Sequence, residues 1–288
     1  MVTASRLAWE SRRFDRRVTA WEGVAPAAPG EQVVENAILI GLSRQTALQR
    51  ELEVVANNIA NLNTTGFKAD GAVFGEYLQN RASAEQFAAP DRRLSLVQDR
   101  MSWHDMSQGT VQRTGNPLDV AIDGEGMLVV QTAGGERYTR NGALQINNRG
   151  ELVTINGDTV QGENGTIVFQ PTDRDIVVTK DGTIKVREGL SLNSDSTRGK
   201  LRVVRFADLQ QLRKDGASSY SAPDGVTPEI VDRPNVVQGS IEKSNVRSVI
   251  EMTRMIEVTR AYTEVATMLA QQNDLRKNSL QQLAEVPA

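Results

Sequence analysis

From Asn36 onward, apolar side chains recur with a helical period. Ile38, Gln45, Leu52 and Ile59 are seven residues apart, and Gly41, Leu48, Val55 and Leu62 repeat that spacing three residues later. These are the a and d positions of nearly four heptads, with one polar a residue at Gln45. The pattern stops at Thr64-Thr65-Gly66, where glycine suits the left-handed residue that follows a helix end. About 28 residues make a rod of roughly 42 Å. A helix that long with one apolar seam needs a partner. A second candidate occupies the other end of the chain. No proline or glycine interrupts Glu242 to Gln282, and Met255, Tyr262 and Leu269 are seven apart, as are Val258 and Val265. Arg247–Glu251 and Arg260–Glu264 add opposite charges at four-residue spacing.

Between the two helices the pattern changes. Residues 110–237 are punctuated by hairpin-type dipeptides, among them Asp123-Gly124, Asn156-Gly157 and Asp181-Gly182. The clearest hairpin runs from Ile176 to Val186, with Asp181-Gly182 predicted to supply the two positive-φ residues of a type I′ turn. Residues 70–110 are weakly patterned and read as a connector with short helix or strand pieces. At the N-terminus, five arginines precede a Pro/Ala/Gly run from Ala25 to Gly30 that reads as a break. No apolar h-region follows those arginines, so the segment does not read as a Sec signal peptide.

The fold class is therefore α+β: long N- and C-terminal helices pairing as a coiled coil, with an inserted mainly-β domain. The divisions expected are a disordered extension at 1–34, an N-terminal helical part at 35–68, a connector at 69–110, a β domain at 111–237 and a C-terminal helical part at 238–288.

Composition narrows the chemistry. The chain has no cysteine and one histidine, His104, which excludes thiolate and multi-histidine metal sites. A net charge of −3 offers no basic surface for nucleic acid, and the acids Glu10, Asp15, Glu22 and Glu31 nearly cancel the N-terminal arginines. Asp119, Asp123 and Glu125 lie beside glycines and read as turn residues. His104 has no Ser or Cys elbow near it. No catalytic, cofactor-binding or metal-ligating residue is expected, and no small-molecule substrate. Asn57, Asn58, Asn61 and Asn63 are unusual in mid-helix, because their amides compete with the backbone. They form either a solvated face or a set of amides that bond a neighbouring subunit.

Three stretches carry a resemblance. Ala56-Asn57-Asn58-Ile59-Ala60-Asn61-Leu62-Asn63-Thr64-Thr65-Gly66-Phe67-Lys68 resembles the N-terminal signature of the flagellar rod and hook proteins. Thr114-Gly115-Asn116-Pro117-Leu118-Asp119-Val120-Ala121-Ile122-Asp123-Gly124-Glu125-Gly126, continued by Tyr138-Thr139-Arg140-Asn141-Gly142, resembles the opening of their β domain. Val237-Gln238-Gly239-Ser240-Ile241-Glu242-Lys243-Ser244-Asn245-Val246, followed by Glu251 to Tyr262, resembles their C-terminal signature. The likeness covers about residues 35–280. The opening Glu35 to Gln45 is most similar to the F-type, proximal branch, with the G-type, distal rod proteins as the close alternative. A reading outside the family is a β-domain binding module or enzyme on a coiled-coil oligomeriser.

The resemblance implies a subunit of the basal-body rod, the driveshaft that crosses the periplasm. It implies export unfolded through the flagellar type III channel without a cleaved signal, and assembly with copies of itself and other rod proteins. Its terminal helices would pack across subunits through Ile38, Leu48, Leu52, Val55, Ile59 and Leu62, with Asn57, Asn58 and Asn61. On the second helix Met255, Val258, Tyr262, Val265 and Leu269 would do the same. Val34-Glu35-Asn36-Ala37 sits where the family has its initiator Met, so residues 1–33 read as a start-site artefact or a dispensable extension.

Overall fold

The computed structural model describes residues 29–79, 94–188 and 195–284. The expected extension therefore lies almost wholly outside the described residues. Helix α1 spans Pro29–Ala60 and helix α2 spans Ser248–Ala284. α1 starts inside the Pro/Ala/Gly run, with proline first, where its missing N–H costs nothing.

α1 and α2 lie antiparallel and share a seam. At one end Gly41 meets the side chain of Leu269. Further along, Gln45 Nε2 donates to the Tyr262 hydroxyl at 3.1 Å, and Arg254 donates twice to Glu51 Oε1, at 2.9 and 3.0 Å. At the other end Asn58 Nδ2 donates to Glu251 Oε2 at 3.3 Å. Ala47, Leu48 and Val55 of α1 and Val258 of α2 are buried.

α2 begins six residues later than the sequence pattern suggests. Ser240–Glu242 is a strand instead, paired antiparallel with β3 (Val111–Arg113). Pairing across the chain overrides the local absence of breakers there. The stretch read as a connector also differs. β1 (Asp70–Gln79) and β2 (Leu94–His104) form a long antiparallel hairpin that packs along α1. Gly71, Gly75 and the bulge between Val73 and Phe74 spoil the alternation that would have announced it.

The β domain is built, among its described residues, around a ten-stranded antiparallel sheet and a three-stranded one. One core cluster includes Val120, Leu128, Val160, Ile184 and Leu201, and a second includes Val129, Tyr138, Val204 and Tyr220. β4 (Val120–Asp123) pairs with Asn235–Gln238, so the chain leaves the domain beside the point where it entered.

The hairpin at 181–182 forms, but not with a type I′ turn. Gly182 has φ +83°, whereas Asp181 keeps a negative φ. Thr179 N donates to Thr183 O and Gly182 N donates to Thr179 O, both at 2.9 Å. The loop is therefore three residues, closed by one left-handed glycine. Asn156-Gly157 behaves alike, with Thr154 bonded to Asp158 and only Gly157 at positive φ.

Candidate functional site

The polar residues after α1 do not trail into solvent. They enter a junction where the helix pair, the β1–β2 hairpin and the β domain meet around two carboxylates. The first is Glu242, fully buried. Its Oε1 accepts from Lys68 Nζ at 2.6 Å and from the Gly109 amide at 2.9 Å, and its Oε2 accepts from Arg140 at 3.2 Å. Its backbone carbonyl accepts from Gly66 N at 2.8 Å. Lys68 Nζ also reaches Ser107 O, and Arg140 donates to the carbonyls of Ile122 and Gly124. Burial pulls the Lys68 ammonium below its ordinary pKa, and the Glu242 charge offsets only part of that. Arg140 is shifted down for the same reason, with the same offset. A buried carboxylate in this position is tolerable because two cations and a backbone amide bond it, two at Oε1 and one at Oε2.

The second carboxylate is Asp70, at the base of the hairpin and paired across the strands with His104. Its oxygens meet His104 Nδ1 at 2.7 Å, Lys214 Nζ at 2.8 Å and Asn57 Nδ2 at 2.8 Å. Burial would raise its pKa, but the bonds from His104 and Lys214 outweigh that and hold it below the ordinary value. Lys214 also donates to Lys68 O and sits 3.9 Å from the centre of the Phe67 ring.

Asn58 is buried and spends its amide inside the chain. It exchanges two bonds of 2.9 Å with the backbone of Asp70, besides its contact with Glu251. Asn61 turns back onto Asn57, bonding its carbonyl and its side chain. These amides close the end of α1 and tie it to the hairpin. Asn245, from the C-terminal signature, completes the junction by accepting from Ala69 N and donating to Asp105 O.

Of the other seam residues, Leu48, Val55 and Val258 are buried. Ile38, Leu52, Ile59, Leu62, Tyr262, Val265 and Leu269 are half-buried, and Met255 is exposed. The sequence reading did not single out Lys68, Arg140, Glu242 or Asp70. The signal was present for three of them, because each of the three signature stretches contributes one member of the Glu242 network.

A cleft of about 530 Å³ opens beside this network, lined by Lys68, Arg140, Gly124 to Met127 and Arg205 to Gln210. Its cations Lys68 and Arg140 are both bonded to Glu242, so they hold the parts of the junction together. Among the described residues no cluster of His, Asp and Glu has metal-site geometry, and no helix is long and apolar enough to cross a membrane.

Three family models match the chain in order: flagella basal body rod protein over residues 38–68, the flagellar hook protein FlgE/F/G D1 domain over 121–186, and flagellar basal body rod FlgEFG protein C-terminal over 237–283. The chain is 36% identical over 255 residues to the flagellar basal-body rod protein FlgF of Caulobacter vibrioides, covering 88% of this chain and 100% of that one. It is 34% identical to FlgF of Escherichia coli, over 80% of this chain and 90% of that protein. It is also 35% identical to FlgG of Agrobacterium fabrum, over 79% and 91%. The antiparallel terminal helices, the β domain between them and these matches define an axial protein of the flagellum, and the chain belongs to the flagellar basal-body rod proteins. It is a structural subunit of the rod. Within the family the F type is favoured over the G type.

Proposed function

We propose that this rod subunit assembles through its terminal helices, which pair as a coiled coil within the subunit and pack against copies of itself and other rod proteins. The observation that carries this reading is apolar surface left over after the two helices have paired. Leu39 and Leu42 of α1 are about half exposed, and Val249, Met252 and Ile256 of α2 are 76%, 50% and 70% exposed. With 3.6 residues per turn, Leu39 falls opposite Leu48, and Val249 and Ile256 fall opposite Val258. The seam inside the subunit leaves these side chains in water. Apolar surface concentrated on one side of an already partnered element marks a protein contact. The work assigned to the subunit is mechanical, namely transmitting torque across the periplasm within the driveshaft. Delivery there is by the flagellar export apparatus, with the chain unfolded. The absence of cysteine and the low aromatic content suit a chain that threads a channel.

Ile256→Asp tests the reading. The purified variant is expected to keep its helix content and its α1–α2 contacts, while cells carrying it lose rod completion and swimming. Normal swimming by that strain would refute the proposed packing face.

A further inference from the structure

The chain passes between the helix pair and the β domain through residues 61–70, 104–111 and 238–248, and all three passages are tied at two carboxylates. Glu242 takes Lys68 from the α1 side, the Gly109 amide from the connection between β2 and β3 and Arg140 from the domain itself. Asp70 takes Asn57 from α1, His104 from the hairpin and Lys214 from the domain's edge strand, Arg213–Lys214. Each carboxylate thus binds cationic or amide donors from both bodies. The segment between them, Gly66 to Asp70, has no slack. Gly66 lies against the backbone of Arg140 and Asn141, and Phe67 and Lys68 are buried.

We infer that Glu242 and Asp70 form a charge-locked joint that fixes the direction of the α1–α2 pair relative to the β domain, with Arg140 and Lys214 as its positioning residues on the domain side. Ordinary inter-domain contacts permit relative motion. Here three charged or amide donors converge on each carboxylate, so the lock is opened at two side chains, Arg140 and Lys214. Arg140 and Gly124 border the open cleft, where water can reach the Gly124 carbonyl once the guanidinium is gone, and the Ile122 carbonyl keeps its bond from Gln108 Nε2. Removing Lys214 leaves Asp70 its bonds from His104 and Asn57.

The test uses the full chain, which has no cysteine and so accepts two spin labels specifically. Thr259→Cys on α2 and Ala133→Cys on the β domain are both exposed sites. Pulsed electron–electron resonance on the otherwise unchanged chain should give one narrow distance peak. In the Arg140→Met/Lys214→Met background that peak should be lost to a broad distribution, while urea unfolding of the β domain keeps its midpoint. A structural role alone would move the midpoint and leave the peak. A peak as narrow in the double variant as in the parent overturns the inference. If the double variant does not fold, Lys214→Met alone carries the test. Failure of that single variant to fold would mean the bodies are not separable, and would equally overturn it.

Discussion

A Cβ placed on Gly66 would stand 2.4 Å from the amide nitrogen of Asn141. Two of the signature stretches thus touch backbone to backbone, at a residue whose φ is +70°. Gly66→Ala meets two penalties there. The left-handed backbone costs a non-glycine residue about 1 kcal/mol, and the collision adds about 2 kcal/mol because backbone, unlike a side-chain tip, cannot swing away. Gly115 is the control, since it has φ +78° with nothing within 4 Å of its virtual Cβ. Gly115→Ala should show only the first penalty, about 1 kcal/mol. Urea unfolding of both variants should separate them by about the collision cost of 2 kcal/mol, and equal losses would contradict the proposed close approach.

Asp70 makes stability depend on acid. Its folded-state pKa lies below its unfolded value, because bonds from His104 and Lys214 outweigh the burial that pushes the other way. A carboxylate depressed on folding stabilises the protein fully above the unfolded value, and that contribution disappears as pH falls through the folded value. The parent should therefore lose stability below the ordinary carboxylate range, 3.8 and downward. Asp70→Asn should be less stable near neutrality and should show a shallower fall over that acid window. Thermal melts across the window compare the two slopes, and parallel curves would show that Asp70 carries no linkage.

The two ends of α2 differ in cover. Val258 is buried against α1, whereas residues 273 to 282 are all exposed. Helical order in water depends on packing more than on propensity. Hydrogen exchange on the isolated subunit should accordingly be fastest among the α2 amides at 273–282 and slow progressively toward Val258. Uniform protection along the helix would show that something beyond the described seam holds its far end.

The parts legible from the sequence are those whose period reports a local face. Gly41, Leu48 and Val55, the d positions, are the most buried row of α1, and the dipeptide punctuation coincides with the β-rich middle of the chain. The hairpin at 70–104 was illegible because its strands draw their order from α1, and two glycines and a bulge erase the alternation. At 181–182 the Asp-Gly dipeptide marks the turn but not its type, since one left-handed residue suffices once a third loop residue is allowed. The junction was half visible. Lys68, Arg140 and Glu242 each sit in a stretch that stood out, but Lys68 and Glu242 are 174 residues apart and Arg140 and Glu242 are 102 apart. Nothing local in the chain says that they meet.

The seam itself separates pairing within the subunit from packing between subunits. Leu48 is 3% exposed in the single chain, and Leu52, one turn on, is only half-buried. Leu48→Asp puts a carboxylate where water is already excluded by α2. It forfeits about 1.5–3 kcal/mol of side-chain burial and adds the desolvation of a charge, so α1 should part from α2 in the isolated subunit. Leu52→Asp leaves its carboxylate at a hydrated rim, and the isolated pair should survive. The penalty appears when a neighbouring subunit covers that rim, and it repeats in every copy of the polymer. Arg50 is exposed and bonded to Glu53, so Arg50→Asp exchanges a favourable pair for a like-charge one, about 0.4–1 kcal/mol in all. Circular dichroism of the purified subunits should rank Leu48→Asp as the only one of the three that unpairs the helices. Swimming should fail for Leu48→Asp and Leu52→Asp and persist for Arg50→Asp. A Leu52→Asp strain that swims as well as the parent would place Leu52 outside the subunit interface, and an Arg50→Asp strain more impaired than it would reverse the assignment of the two helix faces.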